Sequence, residues 1–311
     1  MHSFTKDTVL MGVSFSFTAV CESEEQAIEG VNAASDEVIR IEKLISSWDP
    51  HSQTSDVNNN AGIQAVQVDQ ELIALIERSL KISELTNGYF DITFASLDEI
   101  WRFDEYKTEE LPSQEELLSS VSKIGYKNII IDKKNGTVFL KDKGMKMGFG
   151  AIGKGYAANR AMLIMKDLRI KNGVVNAGGD LINWGKDKDN QPWTIGITDP
   201  KNKDEVISWL NVSDLAIVTS GNYEKFVEIN GKRYSHIINP KTGMPVENLS
   251  SVSILCPDAE FADALATSIF ILGKSEGMKL VNHLDQVECI IIDDQKNIFT
   301  SNNLEKRIWL K

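Results

Sequence analysis

Apolar and polar residues alternate near the start of the chain and then change to a helical spacing. From Val13 to Val20 every second residue is apolar, which is the pattern of a half-buried strand. Apolar residues then recur every three or four positions, a spacing that places them on one face of a helix. They are Ala27, Val31, Ala34, Val38, Ile41 and Ile45. The pattern predicts a strand that leads into a long amphipathic helix.

Two more helices are indicated before residue 122. A second periodic segment predicts a helix over Gln70–Leu85, and Gly88 is placed to end it in a left-handed turn. Farther along, Pro112 precedes Ser113 and Glu116, which have the spacing of a capping box. A third helix is therefore predicted to begin near Pro112.

Short β-branched runs dominate the sequence from Asn128 onward. Two Asn-Gly pairs, at 135–136 and 230–231, each separate two such runs, which predicts two β-hairpins. The hairpin strands are Ile129–Ile131 with Val138–Leu140, and Phe226–Ile229 with Arg233–Ile237. Further strands are predicted at Val174–Asn176, Trp193–Thr198, Ala216–Thr219, Val252–Leu255 and Cys289–Ile292. Helices are predicted between them at Lys154–Asp167, Asp258–Leu272 and Ser275–Leu284.

This interleaving of helices and strands predicts an α+β (mixed α/β) fold. No proline-rich linker, low-complexity tract or internal repeat interrupts it. With 311 residues, 42% of them hydrophobic, the chain can bury a large core. We therefore expect a single domain covering residues 1–311.

The charge balance argues against nucleic acid as a partner. The chain has 45 acidic and 33 basic residues and a formal net charge of −12. Such a charge repels phosphate backbones and anionic lipid surfaces. We therefore expect no nucleic-acid binding.

The cysteines and the N-terminus bear on the compartment. Cys21, Cys256 and Cys289 are far apart and form no CxxC pair, so we expect small buried residues rather than a zinc site or a disulfide framework. No apolar run approaches the roughly 20 residues that a bilayer requires. The opening segment MHSFTKDTV lacks the features of a signal peptide. Either the protein works in the cytoplasm or a leader has been removed.

A glycine-rich turn is the first candidate binding element. The segment Lys146–Arg160 reads KMGFGAIGKGYAANR and precedes a helical pattern. Glycines let backbone amides approach a phosphate closely, while the helix N-terminus and Lys154 add positive charge. A diphosphate is the ligand that suits this turn.

Two other interpretations of the turn remain open. The segment from Gly148 to Gly153 also fits GxGxxG, the dinucleotide fingerprint of a Rossmann domain. That motif should be followed by an acidic residue at the end of the next strand, whereas Asp180 here lies beyond a second glycine turn. The turn could also serve packing alone.

Two segments nearer the C-terminus supply candidate catalytic chemistry. The first, YSHIINPKTGMP from Tyr234 to Pro245, places His236 at a strand end before a polar loop, where catalytic groups are often held. In the second, Asp263 and Thr267 are four residues apart and share one helix face. A carboxylate and a hydroxyl so placed can supply part of a magnesium site. Each feature alone is also compatible with a purely structural role.

Taken together, these segments resemble the ApbE family of FAD:protein FMN transferases. The resemblance covers nearly the whole chain, and its eight segments occur in the family's order. They are MGVSFS, SSWDPHSQTSDVN, TNGYFDIT, GFGAIGKGYAANR, VVNAGGD, AIVTSGNY, SHIINPKTG and ADALAT. The resemblance implies an ApbE-like, T-fold-type architecture of antiparallel-rich sheets packed with helices.

The resemblance also implies roles for individual residues. His236 stands where the family has its proposed catalytic base. Mg²⁺ would be bound by the backbone carbonyl of Ala151 together with Asp263 and Thr267. The residues implied in FAD binding are Met11, Trp48, Asn58, Gly88, Tyr89, Phe90, Asp91, Gly148, Gly150, Lys154, Gly155 and Ile237.

Two features depart from the family pattern. Gly148 stands where the family commonly has Asp, which removes a possible hydrogen bond to FAD. Family members usually work on the outer side of the cytoplasmic membrane, attached by a lipoprotein leader, and such a leader is missing from this sequence. The resemblance still implies a periplasmic location, with membrane attachment only through a removed anchor.

The implied reaction is Mg²⁺-dependent transfer of FMN from FAD to a Thr or Ser hydroxyl of an acceptor flavoprotein subunit, with release of AMP. Three alternatives remain at the level of sequence. Water could replace the acceptor hydroxyl, which would make the protein an FAD pyrophosphatase. The protein could bind FAD without catalysis, or it could be a nicotinamide-dependent dehydrogenase of the Rossmann type.

Overall fold

A computed structural model of the chain describes residues 1–97, 100, 101, 103, 110–200, 202–223, 225–304 and 309–310; for 203, 204, 309 and 310 only the backbone is described. The helices are α1 (Glu24–Ile45), α2 (Gln53–Asn59), α3 (Gln70–Leu85), α4 (Gln114–Val121), α5 (Gly153–Asp167) and α6 (Ala259–Asn282). Two 3₁₀ helices span Ile92–Leu97 and Tyr126–Asn128. The strands are β1 (His2–Leu10), β2 (Val13–Cys21), β3 (Val66–Gln67), β4 (Ile129–Asp132), β5 (Thr137–Leu140), β6 (Asn172–Ala177), β7 (Asp180–Trp184), β8 (Trp193–Asp199), β9 (Asn202–Val212), β10 (Leu215–Gly221), β11 (Phe226–Ile229), β12 (Lys232–Ser235), β13 (Leu249–Cys256), β14 (Glu288–Asp293), β15 (Ile298–Thr300) and β16 (Trp309–Leu310).

An eight-stranded sheet forms the centre of the fold. Its strand order is β1-β2-β6-β7-β10-β13-β14-β15, and each neighbouring pair is antiparallel. This confirms the predicted α+β class. It also excludes the Rossmann alternative, because that fold requires a mostly parallel sheet.

The two faces of the sheet are covered differently. Helices α1, α5 and α6 pack on one face. On the other face, Leu181, Ile217 and Leu255 of the sheet pack with Leu210 of the small sheet β16-β9-β8. Since neighbouring residues of a strand point to opposite faces, a strand covered on both sides is apolar at nearly every position. The strand β13 is accordingly buried along its whole length.

Most elements begin and end where their sequence patterns predicted. The helix α3 has the predicted bounds, and the capping box of Ser113 and Glu116 starts α4. Both predicted hairpins form. Within α6, Gly273 adopts a φ of 78°, so the break predicted between two successive helices is present as a kink.

The strand β1 was not predicted. Its side chains alternate only between exposed and half-buried positions up to Leu10, since it is the edge strand of the sheet and has no strong apolar period. The turn to β2 consists of Met11 and Gly12, with φ of 51° and 75°, the backbone expected of a two-residue hairpin loop. A methionine in this left-handed conformation is unusual.

A polar network fixes α5 against α1 and α3. Glu37 of α1 accepts hydrogen bonds from Arg40 at 2.8 Å and from Arg160 of α5 at 3.0 Å. Glu71 of α3 pairs with Arg40 at 2.8 Å and accepts a hydrogen bond from the Tyr156 hydroxyl of α5. Because Tyr156 lies in the first turn of α5, the network holds the N-terminal end of that helix in place.

The prediction that the three cysteines are buried is confirmed. Cys21, Cys256 and Cys289 are buried and unbridged. None of the helices among the described residues combines the length and apolarity needed to cross a bilayer.

Candidate active site

A cavity of about 530 Å³ opens beside the N-terminal end of α5, within the size range of small-molecule sites. The turn between β1 and β2, the end of α1, the glycine-rich turn, α6 and the segment after β12 all contribute to its wall. The predicted site residues on the wall are Met11, Trp48, Tyr89, Phe90, Asp91, Gly150, Ala151, Lys154, His236, Ile237, Asp263 and Thr267. Residues more than 250 positions apart in the sequence therefore meet in one cavity.

The four other predicted residues lie outside the cavity lining. Asn58 exchanges two hydrogen bonds with the backbone of Met147, at 2.8 and 2.9 Å. Gly88 has a φ of 76°, and its amide donates to Ser83 at the end of α3, as a helix-ending glycine does. Asn58 thus fixes the backbone at Met147, and Gly88 fixes the turn directly before Tyr89. Their roles in FAD binding stay predictions.

Gly148 is packed rather than exposed to the cavity. Its amide donates to the carbonyl of Ile92 at 2.8 Å. A Cβ at this position would lie 3.1 Å from the Cβ of Ala95, so a larger side chain would require the 3₁₀ helix of Ala95 to shift. A glycine at this position is therefore matched to tight local packing.

The imidazole of His236 has a defined proton arrangement. Its Nδ1 lies 3.1 Å from the carbonyl oxygen of Lys225. Because a carbonyl can only accept, Nδ1 carries the hydrogen, and Nε2 is left as the proton acceptor. Phe103 packs edge-on against the ring at 6.4 Å.

The surroundings of His236 keep it neutral. Burial lowers its pKa to about 4, against the opposing effect of its hydrogen bond to Lys225, and the positive charge of Lys154 lowers it further. A neutral imidazole leaves the lone pair of Nε2 open to a proton, whereas a pKa of about 4 makes it a weaker base than an ordinary histidine. The geometry of the ring suits a general base.

Around Lys154, the cavity combines one ammonium group with two buried carboxylates. The Nζ of Lys154 lies 2.5 Å from Oδ2 of Asp180 and 3.9 Å from Oδ1 of Asp263. Both aspartates are 2% exposed. Thr267 lies one turn after Asp263 on α6, and its hydroxyl is 3.2 Å from the hydroxyl of Ser220 on β10.

The oxygens on this wall suit a hard cation. Within the residues that the structure describes, no group of three or more His, Cys, Asp or Glu side chains could hold a metal ion. Asp263, Thr267 and Ala151 nevertheless line the same cavity and offer a carboxylate, a hydroxyl and a carbonyl. Mg²⁺ is commonly bound by one or two carboxylates, with water and substrate phosphates as the other ligands. The donor set fits such an ion.

Gly155 links α5 to Asp263 of α6 through a contact that the sequence did not reveal. Its amide donates to Oδ2 of Asp263 at 2.9 Å, so that amide orients the carboxylate instead of facing a diphosphate. A Cβ on Gly155 would lie 2.1 Å from the carbonyl oxygen of Ala259 and 2.8 Å from the Cβ of Asp263. Only a glycine allows α5 and α6 to approach this closely.

We expect Gly155→Ala to destabilise the protein by about 1–3 kcal/mol, the usual range for overpacking, because the clash involves backbone atoms. Thermal unfolding measures the effect. Gly150→Ala is a matched control for stability, since its Cβ would meet only the Phe94 ring at an ordinary 3.7 Å. Equal melting temperatures for the two variants would contradict the packing argument.

Asp91 lines the cavity, but its carboxylate serves the local fold. Oδ1 accepts from the amide and the hydroxyl of Thr93 at 2.8 and 2.6 Å, and Oδ2 accepts from the amide of Tyr126 at 2.9 Å. Burial raises its pKa, and these hydrogen bonds oppose that rise. The carboxylate thus shapes the wall that Tyr89 and Phe90 complete.

Sequence reasoning assigned no role to several residues that contribute to the cavity. Glu42, Ser220 and Lys225 line it, and Asp180 reaches it through Lys154. Asp180 and Ser220 belong to the segments VVNAGGD and AIVTSGNY, which were noted for their resemblance alone. In both segments a polar residue stands next to a glycine at the end of a strand, and this pattern was the signal in the sequence that could have indicated a functional role.

Comparisons with known proteins agree with this geometry. The ApbE family profile matches residues 11–291. The FAD:protein FMN transferase of Escherichia coli K12 is 30% identical over 245 residues, 77% of this chain and 70% of the relative. That of Klebsiella pneumoniae is 28% identical over 265 residues, 85% of this chain and 82% of the relative. A crystal structure of an ApbE protein from Thermotoga maritima has a TM-score of 0.91 and 31% identity, covering 98% of this chain and 99% of the other. The chain belongs to the ApbE family.

Proposed function

We propose that this protein is an enzyme that transfers the FMN half of FAD to a Thr or Ser hydroxyl of an acceptor protein, releasing AMP in a Mg²⁺-dependent reaction. One observation carries the proposal. A single cavity combines an imidazole that can accept a proton with an ammonium group and a hard-cation donor set. The names of the relatives, FAD:protein FMN transferases, agree with this chemistry.

In this mechanism, His236 acts on the acceptor. The acceptor hydroxyl oxygen attacks the phosphorus of the FMN phosphate, and its proton passes to Nε2 of His236. The bond between that phosphorus and the oxygen that bridges to the AMP phosphate breaks, so AMP leaves and FMN remains as a phosphoester. The hydrogen bond from Nδ1 to Lys225 keeps Nε2 available throughout.

The part of the wall around Lys154 would bind the diphosphate. Lys154 and the N-terminal end of α5 supply positive charge to an anion at this position. Asp263, Thr267 and the carbonyl of Ala151 would hold Mg²⁺. When bound, the ion neutralises diphosphate charge and makes the phosphorus more electrophilic.

Aromatic and apolar residues at the mouth of the cavity would hold a flat ring of FAD. Trp48 lines the cavity and is 82% exposed, so its ring is accessible to a ligand. Met11 adopts its unusual left-handed backbone beside it. Strained residues of this kind are enriched at binding sites. Stacking with a ring would bury both side chains.

A covalent-flavin assay tests the function. The protein is incubated with FAD, Mg²⁺ and candidate acceptor proteins, and the acceptor is analysed by intact mass spectrometry while AMP is quantified. We expect a mass increase of one FMN per acceptor and an equal amount of AMP. Free FMN with AMP and no adduct would identify a pyrophosphatase instead. FAD that stays intact in the presence of Mg²⁺ would identify a binding protein.

The low pKa of His236 predicts the pH dependence of folding stability. The unfolded chain takes up a proton on this histidine near pH 6.5, whereas the folded chain resists protonation until about pH 4. Between these values the unfolded state binds more protons, so stability falls as the pH falls through this window. Chemical denaturation from pH 7 to pH 4.5 should show a smaller loss of stability for His236→Gln than for the wild type. Parallel losses would contradict the shifted pKa.

A further inference from the structure

Asp180 is a buried carboxylate beside the ammonium group of Lys154. It begins β7, is 2% exposed, and lies 2.5 Å from Nζ through its Oδ2. Its Oδ1 accepts from the backbone amide of Thr219 on β10 at 3.2 Å. Asp180 is therefore attached both to the central sheet and to the first turn of α5.

The backbone before Asp180 fixes its position. Ala177 pairs with Asp180 across a two-residue turn, in which Gly178 and Gly179 have φ of 65° and 108°. The side chain of Asn176 accepts from the amide of Gly179 at 2.8 Å. A Cβ at Gly178 would lie 2.9 Å from Val13, so this turn cannot accept a larger residue without a shift. This tight and closely packed turn therefore fixes the position of the Asp180 carboxylate.

Lys154 therefore lies between two carboxylates at unequal distances. Its Nζ is 1.4 Å closer to Asp180 than to Asp263, since the two separations are 2.5 and 3.9 Å. Coulombic attraction increases as the distance shortens, and Asp180 is the stronger partner. Among the residues that the structure describes, Asp263 is the other carboxylate recorded within ion-pair distance of the ammonium, and the ammonium would be drawn toward it if Asp180 lost its charge.

We propose that Asp180 is a positioning residue that keeps the ammonium of Lys154 from approaching Asp263 more closely than 3.9 Å, so that a divalent cation can bind Asp263. This inference rests on the proposed function, in which Asp263 is a ligand of Mg²⁺. Without Asp180, the ammonium of Lys154 would move closer to Asp263 and compete with the metal ion for its carboxylate. With Asp180 in place, Asp263 would hold the cation while Lys154 contributes its charge separately to the diphosphate.

The test measures metal affinity rather than turnover. Mn²⁺ serves as a paramagnetic substitute for Mg²⁺ and is titrated by electron paramagnetic resonance in the presence of saturating ADP. Asp180→Asn keeps an oxygen for the Thr219 amide but removes the charge. We expect it to weaken Mn²⁺ binding by about 10-fold or more, comparable to the loss of an outer-shell partner.

A second substitution separates competition from structural damage. Adding Lys154→Met to Asp180→Asn removes the competing ammonium, so the double variant should bind Mn²⁺ more tightly than Asp180→Asn alone. Asp180→Glu keeps the ion pair and should stay within a few-fold of the wild type, even if Asp180→Asn folds poorly. Unchanged Mn²⁺ affinity in Asp180→Asn would overturn the inference, as would equal weakening in the single and double variants.

The same titration distinguishes a failure of this inference from a failure of the proposed function. Asp263→Asn should lose Mn²⁺ binding if Asp263 is a ligand. If Asp263→Asn loses Mn²⁺ binding while Asp180→Asn keeps the wild-type affinity, only the role of Asp180 is wrong. If Asp263→Asn binds Mn²⁺ like the wild type, the metal site itself is wrong.

Discussion

His236→Gln is expected to lower FMN transfer by about 10² to 10⁴-fold, the usual contribution of a general base, while FAD binding survives. Glutamine can donate to the Lys225 carbonyl as Nδ1 does, but it offers no nitrogen that accepts a proton at neutral pH. The acceptor hydroxyl would then have to lose its proton to water. The transfer rate is measured by covalent flavin fluorescence on the acceptor, and FAD affinity by calorimetry.

His283→Gln is a matched control for this experiment. Its Nδ1 also contacts a backbone carbonyl, that of Lys279 at 2.7 Å, but the side chain is exposed at the C-cap of α6 and does not line the cavity. We expect this variant to transfer FMN like the wild type. Transfer by His236→Gln within a few-fold of the wild type would remove His236 from the mechanism.

Local sequence patterns predicted the elements that are stabilised locally. The apolar period of α1, the capping box of α4 and the Asn-Gly turns depend on residues a few positions apart, and each has a direct backbone consequence. The strand β1 lies at the edge of the central sheet and, among the strands that the structure describes, pairs only with β2, across the two-residue turn of Met11 and Gly12. The period of β1 is weak because the edge strand buries little, so it could not be recognised.

The same distinction applies to the candidate site. The sequence indicated His236, Lys154 and Asp263 separately, but their meeting depends on how α5 and α6 pack on the central sheet. The pair of Lys154 and Asp180 could not be predicted, because it requires β7 to lie next to β10 and near α5. A family resemblance identifies residues at motif positions, but it does not say which amides are already occupied. The amide of Gly155, which is bonded to Asp263, is an example.

The second large effect is expected for Asp263→Asn, which should weaken Mn²⁺ binding by more than the roughly 10 to 100-fold that outer-shell partners cost. The amide oxygen can still accept from Gly155, as Oδ2 does at 2.9 Å, so the helix contact is retained while the charge of a direct ligand is lost. FMN transfer should fall in parallel, and higher Mg²⁺ concentrations should restore part of it.

Ser268→Ala is the matched control, because Ser268 follows Thr267 on α6 but donates its hydroxyl to the carbonyl of Ala264 at 2.6 Å, away from the cavity. Removing the Ser268 hydroxyl should leave the Mn²⁺ affinity unchanged. If Asp263→Asn kept the Mg²⁺ dependence of the wild type, Asp263 would not be a ligand. The negative charge on this wall would then serve mainly to pair with Lys154, and the divalent cation would have to reach the diphosphate from another side of the cavity.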